Sequence, residues 1–232
     1  MNEAATLAPL IAIIGADGSG KSTLAADLTR EYARERPTQY VYLGLGSGAL
    51  GQKLAALPLI GRLLSPIIEK KASRTRDPKD RIPGPVSALV VYLFSLRRRR
   101  RFEEMMGLRR KGVMVITDRY PQIEVPGFYD GPGLSAARAE GGFVRWLAAR
   151  EARSYAEMAA HRPTLVLRLM IDADTALARK PEHGRALVEQ KIAVTPKLHF
   201  GGAPIAEIDA AMNYADERAL AHRLIDEALR AD

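Results

Sequence analysis

The segment from Gly15 to Ser22 contains the residues whose types and spacing have the clearest chemical use. It reads Gly-Ala-Asp-Gly-Ser-Gly-Lys-Ser and fits the pattern G-x-x-x-x-G-K-[S/T] of loops that bind phosphate. Its glycines allow tight turns, so that several backbone N–H groups can face phosphate oxygens. Lys21 would then reach the β- and γ-phosphates, and the Ser22 hydroxyl would bind Mg²⁺. The pattern predicts a nucleoside triphosphate site; the plainer alternative is a glycine turn before a helix.

The sequence on either side of this segment has the features that such a loop requires. Residues 10–14 form a short apolar run that is typical of a buried parallel strand. Residues 22–34 have the pattern of an amphipathic helix, whose N-terminus would add the positive end of its dipole. The residues of the loop that are expected to contact ATP and Mg²⁺ are Gly15, Asp17, Gly18, Ser19, Gly20, Lys21, Ser22 and Thr23.

A second group of polar residues, Asp118-Arg119-Tyr120, follows the apolar run at 113–117. A carboxylate at the end of a strand can hold Mg²⁺ or its waters, so Asp118 and Ser22 are the predicted metal ligands. An adjacent arginine such as Arg119 can bind a phosphate through two parallel hydrogen bonds. The alternative is a turn with a surface ion pair. The residues predicted to carry the chemistry are Lys21, Asp17, Asp118 and Arg119.

Alternating strands and helices place these groups in an α/β fold with a central parallel sheet flanked by helices. We expect strands near residues 10–14, 39–43, 113–117, 164–171 and 205–208. Long helices are expected near residues 86–110, 135–160 and 216–231. Ligands of such sheets bind at the carboxyl ends of the strands, where Gly15, Gly44, Asp118 and Asp172 fall. We predict one domain over 1–232, with a variable acceptor-side insertion at 46–85.

Composition excludes several other classes of protein. The 232 residues include no cysteine, which rules out disulfide and thiolate chemistry, and the four histidines lack metal-ligand spacing. No apolar run is long enough to span a bilayer and none resembles a leader peptide, so a cytoplasmic location is expected. The net charge of +8 favours anionic ligands. Five consecutive arginines at 97–101 would point in all directions on a helix, and without aromatic residues among them no nucleic-acid partner is expected.

These motifs resemble those of the thymidylate kinase family of nucleoside monophosphate kinases. Residues 17–23 are similar to that family's phosphate loop, and Asp118-Arg119-Tyr120 is similar to its Asp-Arg-Tyr motif. Between them, Phe94-Ser95-Leu96-Arg97-Arg98 matches its F-x-x-x-R helix. The resemblance implies a three-layer P-loop kinase fold and ATP-dependent phosphoryl transfer.

The same resemblance implies roles for residues outside the loop. Phe94 would stack on an acceptor base, Arg98 would hydrogen-bond that base or its phosphate, and Arg119 would hold the acceptor phosphate. The implied acceptor-binding set is Phe94, Arg98, Arg119 and Tyr120.

Asp17 and two further segments also take implied roles from the family. Asp17 would contact the acceptor sugar or orient its phosphate. Residues 172–185 resemble the start of the family's mobile lid, predicted at about 178–195, where Arg179, Lys180 or Arg185 would cover the transferring group. Residues 208–210 resemble the strand end beside the donor adenine.

Two departures from the family fall in the segments that shape the acceptor pocket. Residues 42–48 lack the arginine and glutamate that follow the second strand in thymidylate kinases, and residues 121–133 replace the serine-rich stretch after Asp-Arg-Tyr. Because lost hydrogen-bond partners change which ligand a pocket accepts, we expect an acceptor other than dTMP. Proteins of this appearance resemble those encoded near bacterial surface-polysaccharide genes, which points to a sugar or glycolipid. A hydroxyl acceptor would use a carboxylate base, for which the candidates are Asp17, Asp118, Glu124 and Asp130.

Other interpretations remain open. A true dTMP kinase, a P-loop hydrolase or switch protein, and a catalytically idle nucleotide-binding protein would each carry the same loop. Residues 50–68 combine leucines and isoleucines at nearly helical spacing with basic residues. They could lie on a membrane surface or against a lipid-linked acceptor. Their prolines favour short helices in a core or in a homodimer interface.

Overall fold

Five parallel strands form the central sheet of the computed structural model, which describes residues 7–44, 84–135 and 139–231. The strands are β1 (Leu10–Gly15), β2 (Thr38–Tyr42), β3 (Met114–Asp118), β4 (Leu165–Met170) and β5 (Ile205–Asp209). The helices of the described ranges are α1 (Lys21–Tyr32), α2 (Pro85–Arg110), α3 (Gly142–Ala159), α4 (Ala173–Arg179), α5 (Arg185–Val194) and α6 (Tyr214–Ala231). A short 3₁₀ helix covers Thr195–Lys197.

The strand order is β2-β3-β1-β4-β5, which places β1 at the centre of the sheet. Ile13 of β1 is in register with Asp118 of β3, and Gly15 is in register with Leu169 of β4. The carboxyl ends of these strands therefore meet at one edge of the sheet. This is the edge at which ligands bind in open parallel sheets.

Alternate residues of β1 pack into two separate hydrophobic layers, as the two-residue period of a strand requires. Ile11 and Ile13 pack on one face with residues of α1 and α6, such as Leu28 and Ile225. Leu10, Ala12 and Ile14 pack on the other face with α2 and α3 residues, including Phe102, Met105 and Tyr155. Helix, sheet and helix thus form three layers, which confirms the predicted fold class.

Most predicted elements lie within a few residues of the observed ones, and the largest difference concerns α3. The helix predicted from residue 135 begins at Gly142, because Gly141 before it has a positive φ of 83° that a right-handed helix does not use. Helix α5 was part of the predicted lid-like segment and had no predicted boundaries of its own.

Several sequence-based predictions concern residues 45–83, which lie outside the described part of the chain. They include most of the predicted insertion at 46–85 and the apolar run at 50–68. The single domain over 1–232 therefore stays a prediction. Within the described ranges, no helix is long and apolar enough to cross a membrane.

Candidate functional site

The phosphate-loop segment connects β1 to α1 and packs tightly against β4 and α4. A Cβ atom at Gly15 would lie 2.8 Å from the carbonyl oxygen of Leu169, and a Cβ at Gly18 would lie 2.6 Å from that of Ala176. Gly18 also has a φ of 88°, which side chains rarely adopt. Only glycine fits at these two positions, because the loop backbone lies directly against the backbone of β4 and α4.

The interior of this loop has polar groups that suit phosphate. The Ser19 side chain is fully buried, and its hydroxyl has no hydrogen-bond partner among the described residues. Buried polar atoms in folded proteins nearly always have a partner, so an unpartnered hydroxyl inside a glycine loop fits a ligand-binding role. Gly20 has a φ of 85° and directly precedes the first turn of α1, whose free N–H groups favour an anion.

Lys21 folds back over the loop rather than into solvent. Its Nζ donates a hydrogen bond of 2.7 Å to the carbonyl oxygen of Ala16, and the residue is only 8% exposed. Burial and the positive charge of Arg119 lower the pKa of the Lys21 ammonium to about 8, although Asp17 and Asp118 oppose this shift. The ammonium group is therefore held at the loop in a partly desolvated state.

Asp118, the last residue of β3, accepts hydrogen bonds from hydroxyl groups on α1 and β2. Its Oδ2 accepts a hydrogen bond of 2.8 Å from the Ser22 hydroxyl, and its Oδ1 accepts one of 2.9 Å from the Tyr40 hydroxyl. A buried carboxylate and a serine hydroxyl at this separation are hard oxygen ligands of the kind that Mg²⁺ prefers. Ser22 and Asp118 therefore fit the predicted metal site.

Asp17 lies among three basic groups. Its carboxylate is 3.4 Å from Arg119 Nη2, pairs with Nζ of Lys191, and lies 3.9 Å from His183 Nδ1. Burial alone would raise the pKa of Asp17, but Lys191, and after it Lys21 and Arg119, hold that pKa well below its usual value. The carboxylate is thus ionised and engaged, so it must leave an ion pair before it can accept a proton.

Arg119 contacts both Asp17 and the loop that follows β3. It has a φ of 59°, and its Nη1 lies 3.9 Å from a carboxylate oxygen of Asp130. The structure therefore brings together the residues predicted to carry the chemistry, Lys21, Asp17, Asp118 and Arg119, and the predicted metal ligand Ser22.

Arg98 was predicted to contact an acceptor, and the structure places it in the interior of the protein. Its side chain is 0% exposed. It donates hydrogen bonds to the carbonyl oxygen of Leu43 (2.7 Å), to Asp130, and to the hydroxyl of Tyr155 (3.1 Å). Arg98 therefore has no exposed surface with which to contact an acceptor. Its connection to the site runs through Asp130, which lies 3.9 Å from Arg119.

The other two predicted acceptor-binding residues are Tyr120 and Phe94. Tyr120 is buried against Phe102 and Phe200, and its hydroxyl donates a hydrogen bond of 2.5 Å to the carbonyl oxygen of His161. Phe94 is half-buried on α2, one turn before Arg98. Neither has a described hydrogen bond or ring contact with the residues gathered at the loop.

The predicted lid residues differ in their placement. Arg179 Nη1 lies 3.4 Å from the carbonyl oxygen of Gly18, which puts it beside the loop. Arg185 instead pairs with Asp174 at 2.6 Å and with Glu189 at 3.4 Å on the surface. In this structure, Arg179 alone of the two contacts the phosphate loop.

The remaining candidates have structural partners. Glu124 accepts hydrogen bonds from the backbone N–H groups of His199 (2.7 Å) and Gly201 (3.4 Å), away from the loop. Asp172 caps α4 by accepting a 2.8 Å bond from the Thr175 N–H. Much of the arginine run is also engaged: Arg99 and Arg100 pair with glutamates, and Arg101 donates to backbone carbonyls at the end of β2.

Sequence reasoning missed four residues of the site. They are Tyr40, Tyr129, His183 and Lys191. Tyr40 is the second residue of the strand predicted at 39–43, so its contact with Asp118 was accessible only from the register of β2 on β3. His183 and Lys191 fall within the predicted lid-like segment. The basic composition of that segment was the feature of the sequence that could have indicated a role for them in the site. Nothing in the sequence around Tyr129 pointed to the phosphate loop, more than a hundred residues earlier.

Comparison with known proteins gives relatives that match over most of their length. No family model matches the chain. It is 46% identical over 201 residues to YghS of Escherichia coli K12, which covers 86% of this chain and 85% of YghS. It is 43% identical over 208 residues to YghR of the same strain, covering 89% of this chain and 82% of YghR. Both relatives carry the name "uncharacterized ATP-binding protein". The chain belongs to the family of YghS and YghR.

Proposed function

We propose that this protein binds ATP with Mg²⁺ at its phosphate loop and transfers the γ-phosphoryl group to an acceptor. The observation that carries the proposal is the contact between Ser22 and Asp118, which joins the loop to a carboxylate at the end of β3. Lys21 and Arg119 place positive charge at the same edge of the sheet. The names of YghS and YghR, which describe them as ATP-binding, support the donor.

The chain's own residues would act by positioning and by neutralising charge, which is what phosphoryl transfer mainly needs from a protein. The loop N–H groups and Lys21 would bind the β- and γ-phosphates. Arg119 would leave Asp17 or Asp130 to contact the transferring group or the acceptor. Mg²⁺ held by Ser22 and Asp118 would offset the negative charge of the phosphates and orient them. The bond between the γ-phosphorus and the oxygen that leaves with ADP would break as the γ-phosphorus bonds to the acceptor oxygen.

The acceptor that we propose is a sugar or glycolipid rather than dTMP. The proposal rests on the two sequence departures from thymidylate kinases and on the interior placement of Arg98. A free hydroxyl would need a base, and Asp17 is the nearer of the two carboxylates beside Arg119. Since Asp17 is ion-paired, binding of the acceptor would have to draw Lys191 or Arg119 away from it. An acceptor oxygen that is already anionic, as in a phosphorylated sugar, would need no base.

A coupled assay of ADP release tests the proposal directly. Purified protein with ATP and Mg²⁺ is screened against nucleoside monophosphates, free and phosphorylated sugars, and lipid-linked sugars. Release that depends on one acceptor supports the kinase. Release without any acceptor identifies a hydrolase or switch protein, and ATP binding with no release identifies an idle nucleotide-binding protein.

A matched pair of lysine variants makes this assay specific for the loop. Lys21→Ala should lower acceptor-dependent turnover by at least about 100-fold, because Lys21 offsets charge that develops during transfer. Lys197→Ala, which removes an exposed lysine of the 3₁₀ helix, should leave turnover unchanged. Near-normal turnover in a folded Lys21→Ala protein would contradict the assignment of the phosphate loop.

A further inference from the structure

The loop between β3 and α3 contains an unusual turn. Tyr129 has a φ of 47° and Asp130 a φ of 65°, so two consecutive residues with side chains adopt the left-handed conformation. This conformation is unfavourable for residues with side chains, and tyrosine has no local polar group to offset the cost. A turn of this kind persists only where surrounding contacts determine it.

Buried side chains on both sides supply those contacts. Arg98 donates 2.6 Å to the backbone oxygen of Asp130 and also binds its carboxylate. Gln122, which is 1% exposed, donates 2.6 Å to the carbonyl oxygen of Phe128 and accepts a 2.8 Å bond from the N–H of Val125. The backbone around the turn is therefore fixed by side chains that are almost completely buried.

The turn places the hydroxyl of Tyr129 at the beginning of the phosphate loop. Tyr129 accepts a hydrogen bond from the N–H of Gly15, the last residue of β1 and the first of the loop. The Thr195 side chain is a further hydrogen-bonding partner of Tyr129, and Thr195 is bonded to the backbone of Lys191 in α5. One half-buried side chain thus connects the phosphate loop with the helix that carries the partner of Asp17.

We propose that Tyr129 is a positioning residue of the phosphate loop, presented by a strained turn that Arg98 holds in place through Asp130. The inference rests on the proposed nucleotide binding at this loop. The Gly15 peptide precedes the N–H groups that would face phosphate, so its orientation sets theirs. Without the tyrosine hydroxyl, this N–H would be left buried and unpaired unless the loop rearranged, and either outcome disfavours the phosphate-binding conformation.

The test measures MgADP binding by calorimetry in wild-type protein and in Tyr129→Phe, which removes only the hydroxyl. We expect the Kd for MgADP to rise about fivefold, the effect of one hydrogen bond of about 1 kcal/mol. The matched control is Tyr32→Phe, which removes another buried hydroxyl, bonded to Asp226 at 2.7 Å between α1 and α6. A purely structural role would lower the melting temperature of both variants and leave the Kd of both unchanged.

Tyr129→Phe protein that is folded and binds MgADP within twofold of wild type overturns the inference. If that variant does not fold, Asp130→Asn provides the second measurement. Asparagine tolerates the left-handed conformation but loses the charge that binds Arg98, so a Kd increase of a few-fold is expected and an unchanged Kd overturns the inference. Wild-type protein that fails to bind MgADP overturns the proposed function itself, which separates the two failures.

Discussion

The Ser22 hydroxyl donates a 2.8 Å hydrogen bond to Oδ2 of Asp118, although 96 residues separate them in the chain. The sheet produces this contact. Asp118 is in register with Ile13 of the neighbouring strand β1, so it lies next to the loop that leaves β1. Ser22 is the second residue of α1, on the first turn that the loop leads into. Strand pairing therefore determines the position of the proposed metal ligand Asp118.

Replacing Asp118 by asparagine should weaken the dependence of nucleotide binding on Mg²⁺. The amide keeps the shape of the side chain but removes the anionic oxygen that a hard cation prefers. We expect the affinity for ADP in the presence of Mg²⁺ to fall about 10-fold or more, while the affinity in EDTA changes little. Titration of ADP with and without Mg²⁺ measures both values.

The matched control for that experiment is Asp172→Asn. Asp172 caps α4 at the end of β4, and asparagine caps helices as well as aspartate does. Its Mg²⁺ dependence should equal that of wild type. If Asp118→Asn also behaves like wild type, Asp118 is a structural acceptor for Ser22 and Tyr40 and does not hold the ion.

Binding of MgADP should take up a proton near pH 8. Burial and Arg119 lower the pKa of Lys21 to about 8 in the free protein, and bound phosphates will raise it again. At pH 8 about half of the free molecules carry an unprotonated Lys21, so binding takes up about half a proton, and less at pH 7. The affinity therefore falls as the pH rises from 7.5 to 9.5.

Calorimetry in two buffers of different ionisation enthalpy measures this uptake. Lys21→Arg is the control, because a guanidinium stays protonated throughout this pH range and should show no uptake. Equal uptake by wild type and Lys21→Arg would assign the proton to another group. An affinity independent of pH in wild type would show that Lys21 is fully charged before binding.

The parts of the site that follow local rules could be predicted from the sequence. The glycine loop, its helix and the acidic strand end are each encoded in a few adjacent residues, and a parallel sheet brings strand ends to one edge. That reasoning was enough to pair Ser22 with Asp118 as metal ligands, and the structure places the two in contact.

The partners of Arg98 show where such reasoning ends. Arg98 lies within a run of five arginines, and no local pattern distinguishes the one that is fully buried from the ones that face solvent. Its partners Leu43, Asp130 and Tyr155 are 32 to 57 residues away and depend on how α2 packs on α3 and on the strand ends. The same holds for Lys191, whose contact with Asp17 requires the fold of the segment after β4.

Glu217→Gln should stabilise the protein at alkaline pH. The side chain is 3% exposed on α6, and its Oε1 has no partner among the described residues. Burial raises the pKa of Glu217 from 4.5 to about 7; Arg179 opposes the shift and Asp209 adds to it. Because the unfolded chain ionises Glu217 at lower pH, folding stability falls as the pH rises from about 4.5 to 7 and the cost is fully present above that range.

Glutamine has no such ionisation, so we expect Glu217→Gln to be more stable than wild type by about 1–2 kcal/mol at pH 8, with the gain disappearing near pH 4.5. Urea unfolding at several pH values measures the difference. Glu227→Gln, an exposed position of the same helix, should show no gain. A gain for Glu217→Gln that is the same at pH 5 and pH 8 would show that the carboxylate is not the cause.

The last prediction is that dTMP is a poor acceptor. A thymidylate kinase would use the arginine of its F-x-x-x-R helix on the acceptor, whereas Arg98 is buried and bonded to Leu43, Asp130 and Tyr155. Freeing it would leave the carboxylate of Asp130 without its buried partner, which costs more than one new contact returns.

Since missing polar partners discriminate strongly between ligands, we expect kcat/KM for dTMP below about 10⁴ M⁻¹s⁻¹, the low end for typical enzymes. A steady-state assay with ATP, Mg²⁺ and dTMP decides the point. Efficient formation of dTDP would show that Arg98 leaves its buried position during turnover, and it would favour a true dTMP kinase over a sugar or glycolipid kinase.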